Sequence, residues 1–168
     1  MKNSVAISQL SVAFQSANKT ISALDNVSFN LYPGETLVLL GESGCGKSLT
    51  SLALMRLLPK SGVYGLASEV NLDGVDILNL PENMMRQLRG RRMAMIFQEP
   101  MTALNPVMTI GEQISEILIR HHDYSHAERR EALIALLKEV EMPRPEIKIN
   151  QYPHQLSGGQ KQRVVIAM

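Results

Sequence analysis

The sequence predicts an α/β fold in which a mostly parallel sheet carries an antiparallel β edge and an inserted α-helical subdomain. Three observations lead there. Residues 36–40, TLVLL, form an apolar run opened by the turn residues Pro33 and Gly34, as expected of a strand buried on both faces. Residues 93–97, MAMIF, are a second all-apolar run. From residue 101 to about residue 152 the apolar positions fall instead at helical spacing.

Composition narrows the class further. A chain of 168 residues with 45% hydrophobic and 20% charged residues can bury a core as a globular protein. The formal net charge of +1 gives no global argument for nucleic acid as a partner. No apolar run approaches a bilayer span, and the first residues lead into no signal-peptide apolar region. Any membrane association is therefore expected to come through a partner. The single cysteine, Cys45, excludes an internal disulfide framework and fits a reducing compartment.

Residues 5–14 and 27–31 alternate apolar and polar side chains and are expected to pair as the antiparallel edge. Phe14 closes the first of them. Its ring could lie against a nucleotide base, in stacking that tolerates base identity, or serve as ordinary core. After the run at 36–40 comes GESGCGKS, residues 41–48, which fits G-x-x-x-x-G-K-S. Gly41, Gly44 and Gly46 let the backbone approach a ligand closely, so that amide groups converge on phosphate. Lys47 supplies a mobile charge for the β- and γ-phosphates, and Ser48 a hydroxyl for Mg²⁺. The helix opening there, expected to reach about Leu58 before Pro59, adds the positive end of its dipole. Glu42 is expected to point away from the anion. Cys45 is either a thiol-modification site or a small residue filling the loop.

Residues 70–72 and 75–77 flank Asp73-Gly74, a strong hairpin signal, and Pro81 opens a short helix. Arg86, Arg89, Arg91 and Arg92 cluster beside it and read as a solvated face, since no aromatic residues interleave them. Gln98 follows the run at 93–97. At the C-terminal edge of a parallel strand its amide could reach a metal ion or an attacking water. Spacing alone leaves open that it merely begins a surface loop.

In the helical stretch, residues 109–120 place Ile110, Ile114, Ile117 and Leu118 on one face. His121, His122 and Asp123 suggest a metal, but adjacent histidines do not share a helix face, so they read as a helix-end loop. Ser125 and Glu128 form a capping box opening a helix through Val140, which Pro143 and Pro145 close. Residues 156–160, LSGGQ, then precede a last helix. Ser157 is a favourable N-cap there, and Gly158 and Gly159 expose first-turn amides as a second anion site.

With these motifs in order, the sequence closely resembles the ATP-binding subunits of ABC transporters, in particular the importers for dipeptides, oligopeptides, nickel and glutathione. GESGCGKS matches the Walker A motif of that family, Gln98 its Q-loop glutamine, and LSGGQKQR its signature motif. The run FQEPMTALNP is similar to the form found in the peptide-importer group, and the resemblance covers residues 5–168. It implies a P-loop NTPase with an ABC-type ATPase core, divided into an ATP-binding core at 1–100, a helical subdomain at 101–152 and the signature segment at 153–168. It also implies ATP and Mg²⁺. Gly41, Glu42, Ser43, Gly44, Cys45, Gly46, Lys47, Ser48 and Leu49 would surround the nucleotide, with Phe14 as the A-loop aromatic. Lys47 and Gln98 would act in catalysis, and Ser48 and Gln98 on the metal.

Two such domains are implied to meet head to tail, so that Ser157, Gly158, Gly159 and Gln160 of one touch the ATP held by the other. The partners implied are a second ABC ATPase subunit, integral-membrane permease subunits docked on the helical subdomain and, indirectly, a solute-binding protein; no nucleic acid is expected. The location implied is cytoplasmic and peripheral on the inner face of the plasma membrane. Peptide, glutathione and nickel importers all fit, because binding protein and permease choose the solute.

The family pattern continues with an apolar strand ending in Asp-Glu, a D-loop and a switch histidine, none of which this sequence contains; His154 is not at the switch position. The chain therefore reads as the N-terminal portion of a longer subunit, truncated before the Walker B strand. That strand is expected beside residues 36–40, so an apolar edge is expected to be exposed. Alone, the chain is expected to bind nucleotide weakly and not to hydrolyse it appreciably. Two other readings are a non-hydrolysing regulatory fragment and an ABC-type ATPase without a transporter, and FQEPMTALNP argues against the second.

Overall fold

The computed structural model describes residues 4–17, 19–97, 103–121 and 123–168. They form two compact units, Met1–Met95 and Ile96–Met168. Gln98 and His122 lie outside the described residues.

The first unit is built on β1, Val5–Ser16, and β2, Lys19–Leu31, a long antiparallel pair. β1 also pairs with β3, Gly62–Tyr64, near one end and with β4, Glu69–Leu72, near the other, and β4 pairs with β5, Val75–Asp76. The β1–β2 register shifts between Ile7 and Ala13, the kind of bulging that bends a strand and increases its twist. The Asp73-Gly74 turn forms as expected. Both residues have positive φ, as a type I′ hairpin requires, and the Gly74 amide donates to Asn71 Oδ1 at 2.7 Å. Ile7, Leu10, Val12, Leu24, Val70 and Leu72 build the core of the unit, with Ala53 from α1, Lys47–Leu54, and Met85 from α2, Glu82–Leu88.

The expectation of a mostly parallel sheet needs correction for the described residues. Every ladder among them is antiparallel, and parallel pairing is confined to the isolated bridge between Arg89 and Met93. Residues 36–40 and 94–97 have no ladder, and Leu40 is 89% exposed. An apolar run signals that burial is favourable without supplying the neighbouring strand. A strand exists only where two backbones exchange hydrogen bonds.

α1 is shorter than expected. It ends at Leu54 in a Schellman arrangement, with the Leu57 amide donating to the Leu52 carbonyl and the Arg56 amide to that of Ala53. Arg56 takes the left-handed conformation (φ 51) that glycine normally supplies there. Its guanidinium donates from Nη1 to the carbonyls of Ile77 and Leu80, which helps hold it.

The second unit is helical: α3, Ile110–His121; α4, His126–Glu139; α5, Pro145–Lys148; a 3₁₀ turn, Pro153–Gln155; and α6, Gly158–Ala167. Ile110, Ile114, Leu118, Leu133, Leu137 and Val164 form its core, so the helix after LSGGQ packs with the helices before it. The capping box at Ser125 is present in both directions, as the sequence indicates.

Candidate phosphate-binding sites

The glycines of the first loop answer to different constraints. A Cβ at Gly41 would lie 2.5 Å from Cys45 Sγ, and one at Gly46 would lie 2.6 Å from Leu24 Cδ2. Gly46 also has φ 98, so α1 can begin there only on a glycine. Leu24 is a buried residue of β2, and the sheet edge thereby positions the loop. Residues 41–45 and Ser48 are exposed. The amides of Gly44, Gly46, Lys47 and Ser48 donate to no acceptor among the described residues, which leaves them pointing out of the N-terminus of α1.

Lys47 Nζ donates to the carbonyls of Gly41 at 2.7 Å and Glu42 at 2.6 Å, and approaches Cys45 Sγ at 3.4 Å. The ammonium thus sits over the loop, held by neutral acceptors that an anion would outcompete. Three of the expected loop residues take narrower parts. Leu49 packs its side chain on the sheet core and has only its amide to offer, Glu42 uses its carbonyl, and Cys45 lies beside the Lys47 ammonium. Phe14 belongs to the same unit and is half-buried. It pairs with Ile21 of β2 and Gly62 of β3, and its ring edge would lie 3.3 Å from a Cβ at Gly62.

What braces α1 from behind had no signal in the sequence. Tyr64 Oη donates to the Ala53 carbonyl at 2.7 Å, and burial pushes its pKa up to about 12, against the smaller pull of Arg56 and Arg89. Arg89 donates from Nε to the Met55 carbonyl, from Nη2 to that of Arg56, and from Nη1 to Glu82, whose carboxyl this contact holds below its ordinary range. The basic cluster is therefore divided: Arg89 is structural, whereas Arg86 and Arg91 are exposed.

The second loop lies in the second unit. Ser157 Oγ accepts from the Gln160 amide at 3.3 Å, while Gln160 Oε1 accepts from the Ser157 amide at 3.2 Å. This capping box uses the Ser157 hydroxyl only as an acceptor, so its proton is still available to an oxyanion. Gly158 and Gly159 are exposed, and a Cβ on either would meet nothing within 4 Å. Their own chain does not require them to be glycine.

The sequence pattern of the ABC transporter family matches residues 24–168. The chain belongs to this family. Relatives include a peptidoglycan transport ATP-binding protein, YejF, of Agrobacterium fabrum, 48% identical over 98% of this chain and 30% of its own length. The dipeptide transport ATP-binding protein DppD of Bacillus subtilis is 43% identical over 100% of this chain and 50% of its own length. The chain thus spans half or less of the length of these ABC relatives. Among solved structures, the dimeric bacterial ABC transporter cassette MJ0796 superposes with a TM-score of 0.78 at 30% identity, over 97% of this chain and 67% of that one. The fold is that of an ABC ATPase cassette, and no helix among the described residues is long and apolar enough to cross a membrane.

Proposed function

We propose that the chain is the nucleotide-binding part of an ATP-binding subunit that powers import of peptides or related small solutes, working as a head-to-tail pair. One observation carries this reading. The chain has two loop–helix sites suited to phosphate, but only the first needs its glycines for its own packing. Gly158 and Gly159 make sense if something from outside the molecule must come close to their backbone, as the nucleotide of a second copy would.

In this reading the free amides of Gly44, Gly46, Lys47 and Ser48 and the Lys47 ammonium hold the β- and γ-phosphates, and Ser48 and Gln98 hold Mg²⁺. ATP supplies the phosphoanhydride whose cleavage drives the cycle, and Mg²⁺ the charge that neutralises its oxygens. Phe14 offers a surface for the base. Ser157 donates its hydroxyl proton, and Gly158 and Gly159 their amides, to the phosphate held by the partner, while the Gln160 side chain keeps that turn closed. The partners are a second ATPase subunit and membrane permease subunits, with a solute-binding protein beyond them, and the place of work is the cytoplasmic face of the membrane. The kinship with proteins named for dipeptide and peptidoglycan transport supports the solute class.

Mixing two defective copies tests the pairing. Lys47→Ala and Gly159→Asp chains should each fail to dimerise on adding ATP and Mg²⁺. Their mixture should recover dimers, because one of its two composite sites is intact. Failure of the mixture while the unmodified chain dimerises would refute the head-to-tail arrangement. Uptake of a labelled dipeptide by cells carrying or lacking the gene tests the import reading separately, and unchanged uptake would sink it.

A further inference from the structure

The second unit contains a cleft of about 380 Å³ between the first turns of α3, the first turns of α4 and Ile149-Asn150. Gly111 lets α3 approach that last segment, since a Cβ there would lie 2.8 Å from the Ile149 carbonyl oxygen. Leu133 and Ile149 give the cleft an apolar floor, and both belong to the buried core. His126, Arg129 and Arg130 line it from α4.

That placement runs against the local rules for helices. Residues at i, i+3 and i+4 share one face, so the three basic side chains are neighbours of like kind. They also occupy the N-terminal turns of α4, where the helix dipole disfavours positive charge. The start of the helix is otherwise well formed, with Glu128 held in the capping box by Ser125. Among the described residues neither Arg129 nor Arg130 has an ion pair within 4.0 Å. Glu112 lines the cleft as well, but its Oε2 accepts from the Thr109 amide at 2.7 Å and the Thr109 hydroxyl at 2.8 Å.

Arg129 adds an independent observation. Nη2 donates to the Tyr124 carbonyl at 3.2 Å, but Nε is buried without any partner. A buried N–H left unpaired is costly and rare in native proteins, and a charged one more so. A shift of the guanidinium into the cleft it lines, towards an acceptor there, would relieve that cost. A cost kept at a cleft with concentrated like charge is the pattern of a binding site whose ligand completes it.

From these features we infer that the α3–α4 cleft binds a small phosphate-bearing ligand through Arg129 and Arg130. The phosphate sits between the two guanidinium groups with the dipole of α4 behind it, and Asn150 and Ser115 offer further polar contacts. The ionised Glu112 carboxylate, kept below its ordinary range by the Thr109 amide and hydroxyl, excludes a second negative group at the other end. The volume leaves room for a small organic body over Leu133, so the source is either free phosphate or a small phosphomonoester. The site is separate from both nucleotide loops and does not depend on the transport reading.

The test uses the full chain carrying Lys47→Ala, which removes the P-loop ammonium as a competing phosphate ligand. Inorganic phosphate and glycerol phosphate are titrated at constant ionic strength while NMR follows the Arg129 Nε–H and the amides of residues 126–130. Saturable shifts are expected at these groups, with the apparent Kd raised at least fivefold by Arg130→Gln and by Arg129→Gln. Arg130 is exposed, so its variant decides the matter if Arg129→Gln does not fold. Saturable binding of either ligand supports the site, and the tighter of the two names the source. Shifts that chloride reproduces, equal affinity for acetate, or an unchanged Kd in folded Arg130→Gln would overturn the inference.

Discussion

Lys47 holds its own loop together until something better arrives. Its ammonium has two close carbonyl acceptors, which a phosphate bound in the proposed site would have to replace. Neutral acceptors lose to a charged one by roughly 1 kcal/mol or more per bond, so the exchange favours phosphate. Lys47→Ala is accordingly expected to weaken binding of a fluorescent ATP analogue at least tenfold, about 1.4 kcal/mol. Circular dichroism should be unchanged, because the side chain packs on no core. The role proposed for Lys47 could be read from sequence because it follows from spacing within eight residues. Tyr64 could not, since β3 has three residues and its phenol bonds to a carbonyl eleven positions away. Tyr64→Phe should cost about 1 kcal/mol in urea unfolding. The phenol has a folded pKa of about 12 against 10.0 unfolded, so its protonated form is favoured by folding. The associated stability is fully present below pH 10 and falls as pH rises towards 12. The difference between the wild-type and Phe proteins should show that decline, and a flat difference across that window would contradict it.

Elements whose signals are local could be read from the sequence, and elements that need a distant partner could not. The Ser125–Glu128 box, the Asp73-Gly74 turn and the Ser157 cap are each complete within four residues, and all three formed. The run at 36–40 has the composition of a strand but no ladder among the described residues, whereas β2 extends back to the polar Lys19 because β1 pairs it there. Glycines show the same contrast. Gly111→Ala gains about 1 kcal/mol of helix propensity. It must also force a contact of 2.8 Å with the Ile149 oxygen, for which overpacking costs of about 1–3 kcal/mol are usual. Net destabilisation is expected, measurable as a lower unfolding midpoint. Gly158→Ala enters open space and should leave the midpoint unchanged or raise it. At α4, Ser125→Ala is expected to cost about 1 kcal/mol. The Ser125 hydroxyl and amide hold the Glu128 carboxyl below its ordinary 4.5. A depressed folded pKa contributes stability above the unfolded value, and this is lost as pH falls through the folded one. The Ser125→Ala and wild-type proteins should therefore converge in stability on acidification.

At the scale of the molecule, the two phosphate-type loops belong to different compact units, the first to Met1–Met95 and the second to Ile96–Met168. Each has its own buried cluster and its own set of helix-terminal amides. The sequence revealed both loops, but which glycines serve the fold became legible only from the atoms around each Cβ. That difference predicts how hydrogen exchange should respond to nucleotide. At low protein concentration, ATP with Mg²⁺ should slow exchange at Gly44, Gly46, Lys47 and Ser48, since those amides acquire acceptors by binding alone. Residues 158–159 should stay fast, having no acceptor among the described residues. Raising the protein concentration at saturating ATP should then slow residues 158–159, as a second copy brings its phosphate to them. Dimerisation is bimolecular, so the two protections must separate along the concentration axis. Protection that appeared at both loops together, independent of protein concentration, would mean that one molecule closes both sites by itself, and the head-to-tail pair would have to be abandoned.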